Sequence, residues 1–446
     1  MSRAHDIESG RLSELELADN FSDLHLLLTQ HQAAVASSRC LFCFDAPCTE
    51  ACPTGIDIPG FIRKINTGNT LGAAVTILSE NIMGGTCANV CPVEELCEEV
   101  CVRNTAEEEP VEIGRLQRYA TDALFATDSQ PFKRARASGK HVAVVGAGPA
   151  GLSCAHRLAM HGHQVTVFEA RDKAGGLNEY GIAAYKMTDE RAAREVDFIL
   201  GIGGIEVKCS SRLGEDIHLA QLHHDYDAVF LGLGLGATNQ LGLENETLPG
   251  VMDAVNYIED IRQKDLKALP VGRRVVVIGG GNTAIDIALQ SRKLGAEEVT
   301  LVYRRGESDM SATWFERQLA QSEGVVIRTM AKPHRIIGDG SGISAVEFET
   351  TQYDESDTLQ GTGRVFSVPA DMLFKAIGQC MDELLDCDIE LQGRRIQVDA
   401  HACTSKPGIY AGGDCVSGLD LTVAAVADGK RAAEVIHQTL LEKRHG

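Results

Sequence analysis

The sequence predicts an α/β fold in which a helical N-terminal domain precedes two parallel-sheet domains, the second inserted into the first. Three observations carry this expectation. Up to about residue 135, apolar residues recur three and four apart, as in "LSELELADNFSDLHLLLTQHQAAVASS" and "EIGRLQRYATDALFA", and no convincing strand interrupts them. Beyond residue 140, short β-rich runs such as "HVAVVGAG", "QVTVFEA", "DAVFLGLG" and "EVTLVYRR" alternate with helical stretches, the pattern of parallel strands joined by crossover helices. The unit strand, glycine turn, helix, strand occurs twice, at 141–170 and 274–305.

The polar, basic segment "DSQPFKRARASGK" reads as a linker and places the first boundary at residue 140. Near 366–376, "FSVPADMLFKAIG" reads as a return crossing that lets the C-terminal segment rejoin the first sheet. The expected domains are therefore 1–139, helical; 140–251 and 376–446, two parts of one dinucleotide-binding domain; and 252–375, a second dinucleotide-binding domain.

A formal net charge of −21 argues against a nucleic-acid partner, because neutralising phosphates needs a basic surface. The opening "MSRAHDIESGRLSELELADNF" lacks the basic region and apolar run of a secretory signal. No apolar stretch approaches the roughly 18 residues of a membrane span. The cytosol is the expected compartment.

Fourteen cysteines in a chain without an export signal point to metal or redox chemistry rather than structural disulfides. Eight lie between residues 40 and 101; Cys154, Cys209, Cys380, Cys387, Cys403 and Cys415 are scattered, each simplest as a small buried residue or a bystander. The first four run Cys40-x2-Cys43-x4-Cys48-x3-Cys52-Pro53 and the next four Cys87-x3-Cys91-Pro92-x4-Cys97-x3-Cys101, if the prolines are counted separately. Such spacing is expected to converge thiolates on one point. A Cys-Pro ending is typical of ferredoxin runs whose fourth cysteine serves the other cluster, so iron–sulfur clusters are expected, with Cys52 serving a second one. Two zinc sites are the competing reading.

"VAVVGAGPAGLSCAHRLAMHGHQVTVFEA" places Gly146, Gly148 and Gly151 in a G-x-G-x-x-G turn after a strand, with Glu169 ending the next strand. This is a Rossmann-like fingerprint: the glycines permit the tight turn, the approach of a pyrophosphate and close helix–strand packing, and Glu169 is placed for the adenosine ribose. Two later elements, "DKAGGL" with Gly175 and Gly176, and "GIYAGGDCVSGLDLTVAAVADGKRAA" with Asp414, resemble flavoproteins built from two dinucleotide domains. They make FAD the expected first nucleotide. "RVVVIGGGNTAIDIALQSRKLGAEEVTLVYRR" repeats the logic with Gly279, Gly281 and Ala284, and ends on Arg304 and Arg305, where guanidinium groups suit a 2′-phosphate. Two solvated arginines at a strand end are the alternative, and NADPH or NADH both remain open.

No Cys-x-x-Cys follows residue 52 and no hydrolase, kinase or metalloprotease signature occurs, so no catalytic side chain is assigned. Hydride is expected to pass at FAD, and the N-terminal cysteines are the evident electron exit. His223 and His224 read as a surface loop, and the lone Trp314 as packing.

The eight-cysteine block together with "VAVVGAGPAGL", "GGNTAID", "YRR" and "AGGD" resembles a family: the small subunit of bacterial glutamate synthase and the matching N-terminal half of dihydropyrimidine dehydrogenase. The resemblance implies one [4Fe–4S] cluster on Cys40, Cys43, Cys48 and Cys101, and a second on Cys52, Cys91, Cys97 and Gln117, which leaves Cys87 a free thiol. Gln117 is where the pyrimidine enzymes resemble this chain and a glutamate synthase typically shows Glu. FAD is implied on Gly146, Gly148, Pro149, Ala150, Gly151, Glu169, Gly176, Leu177, Lys186, Gly413, Asp414 and Thr422. NAD(P)H is implied on Gly279, Gly281, Asn282, Thr283, Ala284, Arg304, Arg305, Ala376 and Gly378. A second arginine common in NADPH-specific relatives is replaced near Ser311. The implied partner is an FMN-containing, pyrimidine-reducing subunit.

Overall fold

The computed structural model describes residues 12–127, 129–381 and 388–442; Cys387 lies outside them. The chain divides into two compact units, one of His25–Glu179, Asp189–Gly236 and Cys380–Gly446, the other of Met1–Leu24, Tyr180–Thr188 and Ala237–Gln379.

The first unit joins the cysteine-rich helices to a parallel sheet. Helix Gln30–Ser38 starts in a capping box between Thr29 and Gln32, and helix Ile58–Asn66 starts on Asp57, whose carboxylate accepts from the Gly60 N–H. Ile58, Phe61, Ile62 and Ile65 recur on one face of the latter and are buried. With helices Thr70–Glu80 and Ile113–Phe125 they form a core that also takes in Leu152, Val196, Ile199 and Val426 from the sheet-bearing part. One shared apolar core is why these two parts form a single unit. A buried carboxylate ties them further: Glu195 accepts from the Gly85 N–H at 2.8 Å and from the Thr86 hydroxyl. Burial pushes Glu195 up to about 7, against the pull of those donors.

The sheet of this unit runs Ile409–Ala411, Ala228–Leu231, His141–Val145, Gln164–Phe168, Ile205–Lys208, all neighbours parallel. Val142 to Val145 and Ala228 to Leu231 are buried throughout, as expected of strands covered on both faces. The last helix, Thr422–Glu442, returns the C-terminal segment to this sheet and lies against helix Pro149–Met160. A Cβ on Gly429 would stand 2.0 Å from the Ala150 carbonyl oxygen, so this helix pair has room only for hydrogen there.

The second unit has its own parallel sheet, ordered Val251–Asp253, Met372–Ala376, Arg274–Gly279, Glu298–Val302, Val326–Arg328. An antiparallel sheet of Ala331–Asp339, Gly342–Tyr353 and Leu359–Pro369 follows. The alternating α/β reading is therefore interrupted by a meander: residues 366–369 end its last strand, and the parallel strand begins at Met372.

The domain limits read from sequence differ from this partition in three places. Residues up to Leu24 group with the nucleotide-type second unit because Leu17 and Phe21 are buried in its core beside Tyr257, Ile258 and Ile261. Tyr180–Thr188 joins the same unit through the fully buried Tyr185, whose carbonyl accepts from the Leu24 N–H at 3.0 Å. The inserted segment spans Ala237–Gln379 rather than 252–375, since Leu241, Leu243 and Leu248 pack on the core beneath the meander. Among the described residues, no helix is long and apolar enough to cross a membrane.

Candidate functional site

The first four expected cluster ligands come together. Cys40, Cys43, Cys48 and Cys101 line one cleft, floored by Ile58, Ile62, Val111 and Ile113. The loop between Cys40 and Cys48 is turned back by two non-glycine residues in left-handed backbone, Phe42 at φ 53° and Ala46 at φ 40°, and the Phe42 N–H donates to the Cys40 sulfur at 3.4 Å. Burial pushes the Cys48 thiol up to about 12, with Cys40 and Cys101 adding to the shift. Burial raises Cys40 as well, and four sulfur donors in one cleft match the demand of a positively charged iron–sulfur core, so the donor set fits such a group.

Among the described residues, no three cysteine, histidine or carboxylate side chains stand close enough to hold a single metal ion. The thiols line a cleft and do not converge on one point, contrary to the expectation from their spacing. A tetrahedral zinc ion needs four donors within about 2.3 Å of one centre. A cubane instead takes one thiolate per iron around a larger body, which suits the cleft better.

Cys52, Cys91 and Cys97 form a second neighbourhood, and Cys87 is part of it. Cys91 is pushed well above the ordinary thiol range, first by a hydrogen bond with Cys87, then by burial and by Cys97 and Cys52. Gln117 is buried on helix Ile113–Phe125, and its Nε2 donates to the Gly84 carbonyl at 2.7 Å, so that Oε1 is the atom it has available for ligation. Gly84 opens the helix that carries Cys87. Gln117→Ala is expected to alter the EPR signal of one reduced cluster while FAD content and dye-linked NAD(P)H oxidation stay at parental levels. Two unaltered cluster signals would remove Gln117 as a ligand and leave Cys87 in its place.

The flavin-type residues of the first unit gather where the sheet meets helix Pro149–Met160. Gly148 is the N-cap, Pro149 the first helical residue, and Ala150 and Gly151 are buried behind them. A Cβ on Gly151 would lie 1.9 Å from the Gly146 carbonyl oxygen, and one on Gly176 would lie 2.6 Å from the Gly148 Cα. Both positions thus have room only for glycine, and the helix opens on the Gly148 N-cap, the kind of backbone end that suits an anion. Glu169 is buried at the next strand end; its oxygens accept from the Ala147 N–H at 2.8 Å and the Arg171 N–H at 3.0 Å and keep lone pairs for ribose hydroxyls.

Leu177 follows Gly176 directly, and Gly413 donates its N–H to Asp428 at 3.0 Å. Burial pushes Asp414 up to about 6, with Asp420 adding and Arg395 opposing. Thr422, at the start of the last helix, donates to Asn178 Oδ1 at 3.1 Å, and Asn178 Nδ2 reaches the Met83 sulfur at 3.4 Å. Met83 caps the helix bearing Cys87, so a chain of contacts links the flavin-type residues to the second thiol neighbourhood. Asn178, Met83 and Asp428 carry no motif signal and were not legible in sequence.

The second unit carries the residues expected at the other nucleotide. Gly281 caps helix Asn282–Lys293, in which Thr283 follows Asn282 and Ala284 is fully buried, and Asn282 Oδ1 accepts from the Thr313 N–H at 3.2 Å. Gly279 and Ala376 are register partners, and the Gly378 carbonyl accepts from the Asn239 side chain at 3.2 Å. Ser311 Oγ lies 3.1 Å from where a Gly281 Cβ would stand, beside the glycine turn.

Arg304 and Arg305 are exposed past strand Glu298–Val302, with their carbonyls held by the Thr351 hydroxyl at 2.7 Å and the Met330 N–H at 2.9 Å. Arg304→Ala is expected to raise KM for NADPH by about tenfold or more with little change for NADH, since only NADPH offers the 2′-phosphate. Steady-state kinetics with both nucleotides check this, and equal effects would mean that Arg304 does not read the phosphate.

Lys186 lies in this second unit, where its ammonium pairs with Asp286 at 2.7 Å and Glu316 at 2.6 Å, all three side chains largely buried. Burial pulls its pKa down and the two carboxylates more than offset this, so the net shift is upward. Trp314, expected as packing, is 49% exposed and meets only Phe315 edge-on among the described aromatic contacts. His223 and His224 are exposed as expected but lie in the last turn of helix Leu219–Asp225 rather than in a loop, with His223 Nε2 3.0 Å from the Pro407 carbonyl oxygen.

Two paired nucleotide turns and a cysteine-lined cleft define a pyridine-nucleotide flavoprotein with an iron–sulfur segment. The family described as pyridine nucleotide-disulphide oxidoreductase matches residues 140–429, and that described as dihydropyrimidine dehydrogenase domain II, 4Fe-4S cluster, matches residues 17–129. The chain belongs to the pyridine nucleotide-disulphide oxidoreductase family and is an NAD(P)H-dependent FAD and 4Fe-4S oxidoreductase subunit. It is 36% identical to the glutamate synthase [NADPH] small chain of Escherichia coli (strain K12), over 93% of each chain. It is 35% identical to the NAD-dependent dihydropyrimidine dehydrogenase subunit PreT of Salmonella typhimurium, over 91% of this chain and 94% of that one. In fold it is similar to FprA from Mycobacterium tuberculosis, with a TM-score of 0.59 and 20% identity over 69% of this chain and 86% of that one.

Proposed function

We propose that the chain is the electron-input subunit of a dihydropyrimidine dehydrogenase. In this reading it oxidises NAD(P)H at FAD and relays electrons through two [4Fe–4S] clusters to an FMN-containing partner that reduces uracil or thymine. The four-thiol cleft, in one unit with a flavin-type fold, carries the relay part of the reading. Flavin accepts electrons in pairs and releases them singly, which is chemistry supplied by the cofactor.

The chain's own contribution is to hold and separate these groups. Gly146, Gly148, Gly151 and Gly176 open the backbone to the dinucleotide phosphates, and Glu169 holds the ribose. Cys40, Cys43, Cys48 and Cys101 hold one cluster, and Cys52, Cys91, Cys97 and Gln117 the other. Gln117 supports pyrimidines as the final substrate. The near-equal identity to a glutamate synthase small chain favours, as a second reading, input to a glutamate-forming partner.

The test is product formation by each subunit alone and by both mixed. Alone, the chain is expected to oxidise NAD(P)H with artificial acceptors and to make no dihydrouracil. Adding an FMN-containing pyrimidine-reducing subunit creates NAD(P)H-dependent dihydrouracil formation. Robust product from this chain alone would overturn the relay, and glutamine-dependent glutamate formation with a different partner would keep the relay and replace the substrate.

A further inference from the structure

The cysteine cleft is bordered by apolar side chains that no other described residue covers. Leu41 and Val102 line it and are exposed; Phe44, between Cys43 and Cys48, is fully exposed; Val100, next to Cys101, is exposed as well. Folding gains nothing from large apolar groups in water, and an exposed apolar group of this kind at a redox opening marks a contact surface. The other thiol neighbourhood is the inner one: Cys87 and Cys97 are buried, on the side where Met83 and Asn178 lead to Thr422.

The surroundings have a marked charge. Residues 40–52 and 91–109 hold nine carboxylates and one arginine. That arginine, Arg103, is paired with Glu107, and nearby Arg39 pairs with Glu107 and Glu109. Asp45, Glu50, Glu99 and Glu108 are exposed around the apolar group. A second copy of this chain, at −21, or an anionic lipid surface is repelled by such a border.

We propose that Leu41, Phe44, Val100 and Val102 form the docking face for the electron-accepting protein, and that this partner presents an apolar patch bordered by lysines and arginines. The inference rests on the electron-relay reading above and adds where the relay ends and what recognises it. An apolar centre inside a charged rim is the usual anatomy of a protein interface, the charge steering encounter and the centre holding contact.

Cytochrome c, a basic haem protein, is the probe. The full-length protein with its cofactors is tested anaerobically for cytochrome c binding, for NAD(P)H-dependent cytochrome c reduction, and for reduction of a small neutral dye. Phe44→Ser/Val100→Ser, two exposed positions outside the cleft lining, is expected to weaken binding and slow cytochrome c reduction by about tenfold, as loss of a hot spot does, with dye reduction and visible absorbance unchanged. Glu108→Gln/Glu109→Gln, at exposed positions, is expected to lower the rate and flatten its fall with ionic strength. Parental binding and rates in both double variants would overturn the docking face. A third variant separates the two ideas: cytochrome c reduction that survives Cys48→Ser would overturn the relay itself, whereas its loss there, with parental behaviour of Phe44→Ser/Val100→Ser, would overturn the docking face alone.

Discussion

Cys48→Ser is expected to lower electron delivery to a protein partner by roughly two orders of magnitude or more, because a cubane needs its full set of thiolate donors. Dye-linked oxidation of NAD(P)H is expected to persist. The reason lies in where Cys48 stands: it shares the cleft with Cys40, Cys43 and Cys101, while the flavin-type residues Gly146, Gly151 and Glu169 belong to another part of the same unit and have their own hydrogen bonds. Serine is isosteric and leaves the floor of Ile58, Ile62, Val111 and Ile113 in place, so the loss is one of cluster binding rather than of folding. Iron content and the EPR of reduced protein, measured beside the two activities, check this. A variant that keeps all its iron and its delivery rate would remove Cys48 from the ligand set.

The second large effect is on stability. Lys186→Ala is expected to destabilise the protein by about 3–5 kcal/mol at pH 7, because removing one partner of a buried ion pair leaves uncompensated charge. Asp286 and Glu316 are 11% and 12% exposed at their side chains, and both face Lys186, which is 8% exposed. The pH dependence has a definite sign. In the parent the Lys186 pKa is raised in the folded state, so its contribution is complete below the unfolded lysine pKa and is lost only as pH rises through the folded value. In the variant the two carboxylates face each other without a cation, a repulsion that protonation of either one relieves. The deficit therefore shrinks as pH falls through the carboxylate range and is largest at neutral pH. Urea unfolding of parent and variant at pH 5 and 7 measures this, and a parental midpoint at pH 7 would show that the ammonium is not needed there.

Motifs that act over a few residues were legible because local geometry alone decides them. The glycine turns at Gly146–Gly151 and Gly279–Gly281 are needed wherever a strand enters a helix beneath a phosphate, and each sits at a helix N-terminus as its spacing implies. The grouping of Cys40, Cys43 and Cys48 follows from one short loop, and Cys101 joins them as the family resemblance implied.

Contacts between distant segments were not legible. The helix Glu14–Asn20 has an ordinary amphipathic pattern, and nothing in it says that Leu17 and Phe21 bury against Tyr257 and Ile261. Lys186 sits in a stretch without motif, and its partners lie 100 and 130 residues away, so an ion pair with Asp286 and Glu316 has no sequence signature. The meander after Ala331 was hidden for a related reason: its strands show mixed burial and blur into the alternating α/β pattern around them.

By itself the sequence determined which chemistry the chain is equipped for, since two glycine turns, an acidic strand end and eight spaced thiols each exert their effect through neighbours a few bonds away. Only the tertiary structure decided which thiols share a cleft, that Cys87 keeps company with Cys91, and which segments build each unit, because burial and electrostatic pairing depend on distance in space, and the sequence pattern at any one segment is compatible with more than one partner for its apolar or charged face.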